Sequence, residues 1–281
     1  MNLFVPERFA EHIERMALGI EPVDALRSGR AAHPIDVALD GVPLPLPRVL
    51  RRQRGLPEGT DVLARVPRHD SCLHALLYRD GLKSPIKLRF NDKTRRFVPR
   101  RISYAIPAAI TTPSPRVRRP AFFGGAAYDV SETATGLRGR VTWTSAGETP
   151  ARWVRVEASL NGELVGYAHG DDRGEFLLLL RSRAGGLGGL PSPLRVQVAV
   201  FGPPAPPVPP NPRLPKEDPL WDLPLEEIGL AGPDDVSPGE KRPPVPFAAG
   251  TYASTPDSTR ANVTFRLGAI RTDEPKFFFM P

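Results

Sequence analysis

Proline decides what much of this chain can become. Fifteen of the 48 residues from 203 to 250 are proline, beginning with PPAPPVPP. Proline fixes φ and offers no N–H, so this stretch suits neither a helix nor an inner strand, and polyproline II is its expected backbone. It is too long for a loop inside a compact domain. It reads as an extended arm. Across the whole chain, 35 prolines and 25 glycines in 281 residues cut the sequence into short runs, which fits strands better than helices.

Those runs predict a mainly β protein: two small antiparallel β-sandwich-like domains, an N-terminal helix and the long Pro-rich arm. Residues 1–32 form the N-terminal segment. Within it 6–18 reads as a helix, with Pro6 in the first turn and Phe9, Ile13, Met16 and Ala17 on one face. A short turn follows over 22–28. From His33 the period shortens. IDVALDG, DVLARV, CLHALLY, IKLRF and RRFVPRRISYAI read as strands of a first β domain over 33–108, with Pro99 marking an edge or bent strand. Residues 109–123 read as a Pro-rich linker.

A second β region spans 124–202, with five strand candidates within 139–201. Asn161-Gly162 predicts a two-residue hairpin, because both positions of that turn need positive φ. Asp172-Arg173-Gly174 predicts the next turn. Trp153, Arg155, Glu157 and Ser159 should share a wet face, with Val154, Val156, Ala158 and Leu160 facing inward. EFLLLL lacks polar alternation after Glu175 and should be covered on both faces. After the arm (203–250), residues 251–281 hold one more strand candidate, ANVTFRLGAI, and end in KFFFMP. Three consecutive phenylalanines should dock on something.

Charge is unevenly spread. Residues 33–120 carry 18 basic and 7 acidic side chains, net +11, whereas 203–281 carry 8 and 11, net −3. The basic clusters lie at Arg51, Arg52 and Arg54, at Lys93, Arg95 and Arg96, at Arg100 and Arg101, and at Arg116, Arg118 and Arg119. Such a patch attracts an anionic surface. Aliphatics and prolines separate the clusters where a nucleic-acid binder would interleave aromatics, so nucleic acid is disfavoured. The sequence has no run of 18 apolar residues, so no membrane span is expected. The N-terminus turns acidic before any apolar core of a signal peptide could form, so no leader is expected either. With Cys72 alone, no intrachain disulfide can form.

Three stretches could carry chemistry. RHDSCLH (68–74) gathers His69, Asp70, Ser71, Cys72 and His74. On a strand these alternate between faces, and the reading is non-catalytic. His169, Asp171 and Asp172 in AHGDDRGE could ligate a metal, but aspartates before a glycine are also what a tight turn requires. GGLGGL (185–190) lacks the Lys-Ser/Thr ending of a phosphate loop. Asn262-Val263-Thr264 matches a glycosylation acceptor, which has meaning only after secretion. No catalytic residue, metal, cofactor or small-molecule substrate is assigned.

The second β region resembles the carboxypeptidase regulatory-like, transthyretin-like sandwich family. The matching pieces are Gly139 to Val141, Gly147 to Pro150, Ala151 to Val156 and Asp171 to Phe176. That resemblance covers about 60 residues by its turn chemistry and implies a structural or adhesive module without an active site. Trp153 in the middle strand and the long Pro-rich insertion depart from the family pattern. More broadly, residues 65–180 resemble accessory proteins of phage-tail-like contractile injection systems. This likeness implies a structural component at the baseplate, cap or fibre attachment, cytoplasmic during assembly and external after lysis.

The expected function is therefore a non-enzymatic subunit that binds other protein subunits of a large assembly through the basic β domain and the Pro-rich arm. Arg95, Arg96, Arg100, Arg101, Trp221, Phe277, Phe278 and Phe279 are the expected partner-binding residues. The alternatives are a carbohydrate- or nucleic-acid-binding module, or a metal-dependent or hydrolytic enzyme.

Overall fold

The computed structural model describes residues 16–27, 29–43, 63–77, 82–105, 116–144, 149–180, 193–228, 252–254, 260–272 and 276–279. The protein is mainly β, built from several sheets. One five-stranded sheet holds β4 (Asp36–Pro43), β5 (Leu63–Arg65), β7 (Ile86–Asn91), β8 (Arg100–Tyr104) and β16 (Leu225–Ile228), in the order β16-β8-β7-β4-β5. In β7 the period of two is clean: Ile86, Leu88 and Phe90 are buried while Lys87 points out. Pro99 lies just ahead of β8 and so takes nothing from its ladder. β8 is consequently an inner strand, flanked by β7 and β16, and not the edge its proline suggested.

A nine-stranded sheet carries most of the second region. It holds β11 (Gly136–Trp143), β12 (Arg155–Leu160), β13 (Glu163–His169), β14 (Glu175–Leu180), β15 (Leu194–Gly202), β17 (Ala253–Ser254), β18 (Ala261–Phe265), β19 (Ile270–Arg271) and β20 (Lys276–Phe279). The Asn161-Gly162 hairpin joins β12 to β13, with φ of 52° and 83° at its two residues. ANVTFRLGAI forms two strands, β18 and β19, because the turn around Gly268 divides it.

Residues 16–18, expected to close a helix, belong to β1 (Met16–Ile20). Residues 6–15 of that expected helix lie outside the described residues. β1 pairs parallel with β9 (Val117–Arg118), and β2 (Val23–Asp24) pairs parallel with β10 (Ala121–Phe122). Between the two pairs, Val23 N–H donates to Pro120 O, so the proline serves as an acceptor only. The second half of the expected linker is therefore strand. β3 (Gly29–Arg30) and β6 (His74–Leu77) complete these small sheets. The one described helix, α1 (Leu214–Glu217), is a single turn.

Two cores meet at β14. Phe176 and Leu178 point into a core with Val141, Trp143, Val156, Val198, Phe277 and Phe279. Leu177 points the other way, into a core with Leu88, Phe90, Phe97, Ile102 and Phe122, and Leu179 packs against that same core. The unbroken apolar run of EFLLLL is explained by this double coverage.

Candidate functional site

The basic clusters of the first region meet carboxylates, and many of those carboxylates come from residues 218–226 of the arm. Arg100 on β8 is fully buried. Its Nη1 donates to Ala121 O at 2.5 Å, its Nε to Glu226 Oε1 at 3.1 Å, and its Nη2 to Glu226 Oε2. Arg155 on β12 approaches the same carboxylate, with Nη2 3.3 Å from Oε1, and Arg155 Nη1 donates to Trp153 O at 2.9 Å. One glutamate thus joins strands from both large sheets. Burial alone would raise the Glu226 carboxyl, but the charges of Arg100 and Arg155 outweigh it and hold the group below its ordinary value.

A second set of pairs repeats the pattern nearby. Arg89 on β7 reaches Asp40 at 3.0 Å and Asp218 at 2.5 Å, and Arg101 on β8 reaches Asp40 at 2.6 Å. Arg152 pairs with Asp222 at 2.6 Å and donates to Pro219 O. Trp153 Nε1 donates to the same Asp222 at 2.9 Å. Leu223 is buried, and β16 runs parallel to β8 from Leu225↔Arg101 to Ile228↔Tyr104. Residues 218–228 thus form an acidic strap across both regions.

The strap explains two departures from expectation. Trp153 and Arg155, expected on a wet face, are 2% and 4% exposed because residues 222–226 lie over them. The anionic surface expected of a partner is, for Arg89, Arg100 and Arg101, supplied by this chain.

His169 lies beside the Arg–Glu–Arg group. It has no exposed surface and stacks on Phe123 with centroids 3.8 Å apart. Among the described residues neither ring nitrogen has a hydrogen-bond partner. Burial, then the Arg155 and Arg100 charges, keep it far below its ordinary value of 6.5, so it is a neutral ring at neutral pH. Asp171, two residues on, accepts N–H groups from Arg173 and Glu175 through Oδ1 at 2.8 and 3.0 Å, as a turn aspartate does. No group of three or more His, Cys, Asp or Glu suited to a metal occurs among the described residues.

The expected partner-binding residues divide. Arg95 reaches Asp171 and Asp172 at 3.5 and 3.3 Å, and Arg96 reaches Asp129 at 3.1 Å. Arg100 and Arg101 belong to the ion pairs above. Phe277 and Phe279 are 6% and 0% exposed, inside the core of the nine-stranded sheet, where Phe279 meets Trp143 edge-on at 5.1 Å. Arg100, Phe277 and Phe279 are thus buried within the chain itself. Trp221 is half-buried, while Phe278 is 55% exposed. Alternation along β20 accounts for the tail, since Phe277 and Phe279 share one face and Phe278 the other. Arg51, Arg52 and Arg54 lie outside the described residues, as does GGLGGL.

RHDSCLH is a hairpin tip and not a continuous strand. Arg68 bridges His74, and His69 N–H donates to Leu73 O at 2.8 Å. The tight loop brings His69 Nδ1 within 2.9 Å of Ser71 Oγ and 3.2 Å of Ser71 N–H, which makes Nδ1 an acceptor within its own turn. Cys72 takes φ of 64° and accepts from Arg68 Nη2 at 2.9 Å. His74 is buried with Nδ1 toward Val66 O, so Cys72 and His74 form no dyad.

One cleft of about 300 Å³ lies where the strap crosses between the regions. Phe97, Val98, Pro99 and Leu220 line it, as do the charged Lys93, Arg95, Asp172 and Asp218. Those charges are already paired: Lys93 with Asp36, Arg95 with Asp172 and Asp218 with Arg89. The strap was missed in the sequence because LWDLPLEEIGL reads only as scattered apolar anchors. Its signal was the acidic complement to the +11 region, at Asp218, Asp222 and Glu226. No family model, curated protein or solved structure matches the chain.

Proposed function

We propose that this chain is a non-enzymatic structural subunit of a phage-tail-like contractile injection particle, placed at the baseplate, cap or fibre attachment. The particle is implied by the likeness of residues 65–180, and the sandwich likeness of the second β region fits a module without an active site. The observation that carries the structural reading is the lacing of the chain. Glu226 and Asp222 tie the two regions together, and β20 closes the sandwich with Phe277 and Phe279. Charged groups that an enzyme would aim into a cleft are used here as internal fasteners. Neighbouring subunits would meet the outward cations Lys83 and Lys87 and the exposed part of the arm.

The test is sedimentation of particles from the native host carrying a tagged copy of this chain, followed by electron microscopy with a label on the tag. The chain should co-sediment with intact particles and mark one end of them. A chain that stays wholly in the soluble fraction while particles assemble normally refutes the reading.

A further inference from the structure

Residues 203–213 differ from everything around them. Among the described residues, 203–210 make no hydrogen bond and belong to no strand. Val208 is 83% exposed, and Pro204, Ala205, Pro206, Pro210 and Pro212 are exposed too. Yet the strip is held at both ends. On one side Phe201 and Gly202 pair with Ser254 and Ala253. On the other, Asp218, Pro219 and Asp222 are fastened to Arg89 and Arg152. The chain thus holds an apolar proline strip out in water between two fixed points.

We propose that this strip, PPAPPVPPNPR (203–213), is a preformed ligand for an aromatic-lined groove with an acidic flank, on a partner domain of the polyproline-binding kind. This deepens the subunit reading above, since it names the chemistry of one neighbour. Proline rings fix φ near the polyproline II value, and that conformation needs no internal hydrogen bonds. Such a ligand loses little backbone entropy when it docks, and prolines present flat apolar rings to aromatic side chains. Charge indicates the partner's flank. Arg213 ends the strip and Lys216 lies three residues on; both are exposed, and the described residues include no carboxylate paired to either. The arginines that the strap contacts, Arg89, Arg100, Arg152 and Arg155, are by contrast all occupied. An acidic patch beside the groove would meet Arg213 and Lys216.

The experiment titrates the full-length chain into isolated domains of the SH3 and WW classes, reading the tryptophan fluorescence of their grooves. At least one domain with an acidic flank should bind saturably, with Kd on the order of 10–100 µM. Replacing Pro206, Pro207, Pro209 and Pro210 together by alanine should weaken binding about tenfold or more. Arg213→Glu with Lys216→Glu should weaken it roughly threefold and flatten its salt dependence. These positions lie outside both cores, so thermal melting should be unchanged, which separates lost binding from lost folding. No saturable binding to any domain by about 1 mM, or equal binding by the alanine variant, overturns the proposal. Binding to isolated domains and sedimentation with particles are read separately, so either can fail without the other.

Discussion

β16 and β20 are the same device built from opposite chemistries. Each is a four-residue strand added parallel to a strand more than a hundred residues earlier, β16 to β8 and β20 to β11. Parallel pairs of this length have little intrinsic stability, so each needs an anchor. β16 is anchored by a carboxylate between two buried guanidinium groups, and β20 by two phenylalanines in a dry core. Buried ions are costly to separate and cheap to replace together, whereas buried rings are costly to shrink in any setting. The two fasteners should therefore fail under different conditions, although they look alike as ladders.

The largest effects come from breaking each anchor. Glu226→Ala leaves Arg100 and Arg155 buried without their anion and should cost about 3–5 kcal/mol. Phe279→Ala, at a fully buried ring against Trp143, should cost about 3–5 kcal/mol as well. Urea unfolding measures both losses. The two diverge on repair: Arg100→Met with Arg155→Met and Glu226→Leu should recover most of the first loss, as apolar replacements of buried ion groups often do. If the triple variant is as unstable as Glu226→Ala, the anchor is more than an ion group.

Acid should loosen the strap and spare the tail. His169 stays neutral when folded, while the unfolded chain takes up a proton below about 6.5, so the unfolded state binds more protons and stability falls as pH drops from there. The slope can reach about 1.4 kcal/mol per pH unit. Glu226 acts lower. Its folded value lies below 4.5, so its contribution is complete above that pH and is lost as pH falls through the folded value. His169→Phe keeps the stack on Phe123 and should reduce the slope of thermal stability between about pH 6.5 and 5, where His74, also held below its ordinary value by burial, keeps a share, while leaving the lower transition. An unchanged upper slope would remove His169 from the account.

The smallest effect sharpens the tail. Phe278→Ala, at a side chain 55% exposed, should change stability by no more than about 0.5 kcal/mol. A loss comparable to that of Phe279→Ala would mean that the two faces of β20 had been misassigned.

What the sequence made legible was local. The Asn161-Gly162 hairpin, the alternation in IKLRF and the double coverage of EFLLLL all follow from neighbours in the chain. The strap and the parallel pairs did not, because they depend on which distant segment supplies a partner. Arg155 looked wet on β12 alone, and Met16 to Leu18 fit a helical face as well as a strand. Pro99 misled for the same reason, as a proline one residue ahead of a strand costs its ladder nothing. Charge and aromatic content marked Arg100, Phe277 and Phe279 as interactive, but composition does not distinguish a partner from the chain's own remote residues.

The shared strand β14 and the two late add-on strands bear on how the molecule is made. β8 is synthesised more than a hundred residues before β16, and β11 well over a hundred before β20. Until those later segments are made, Arg100 lacks Glu226 and the core of the nine-stranded sheet lacks Phe279. Because Leu177 and Leu178 serve opposite cores from one strand, neither core can close early and independently. Folding should thus be slow, with long-range closures dominating its barrier.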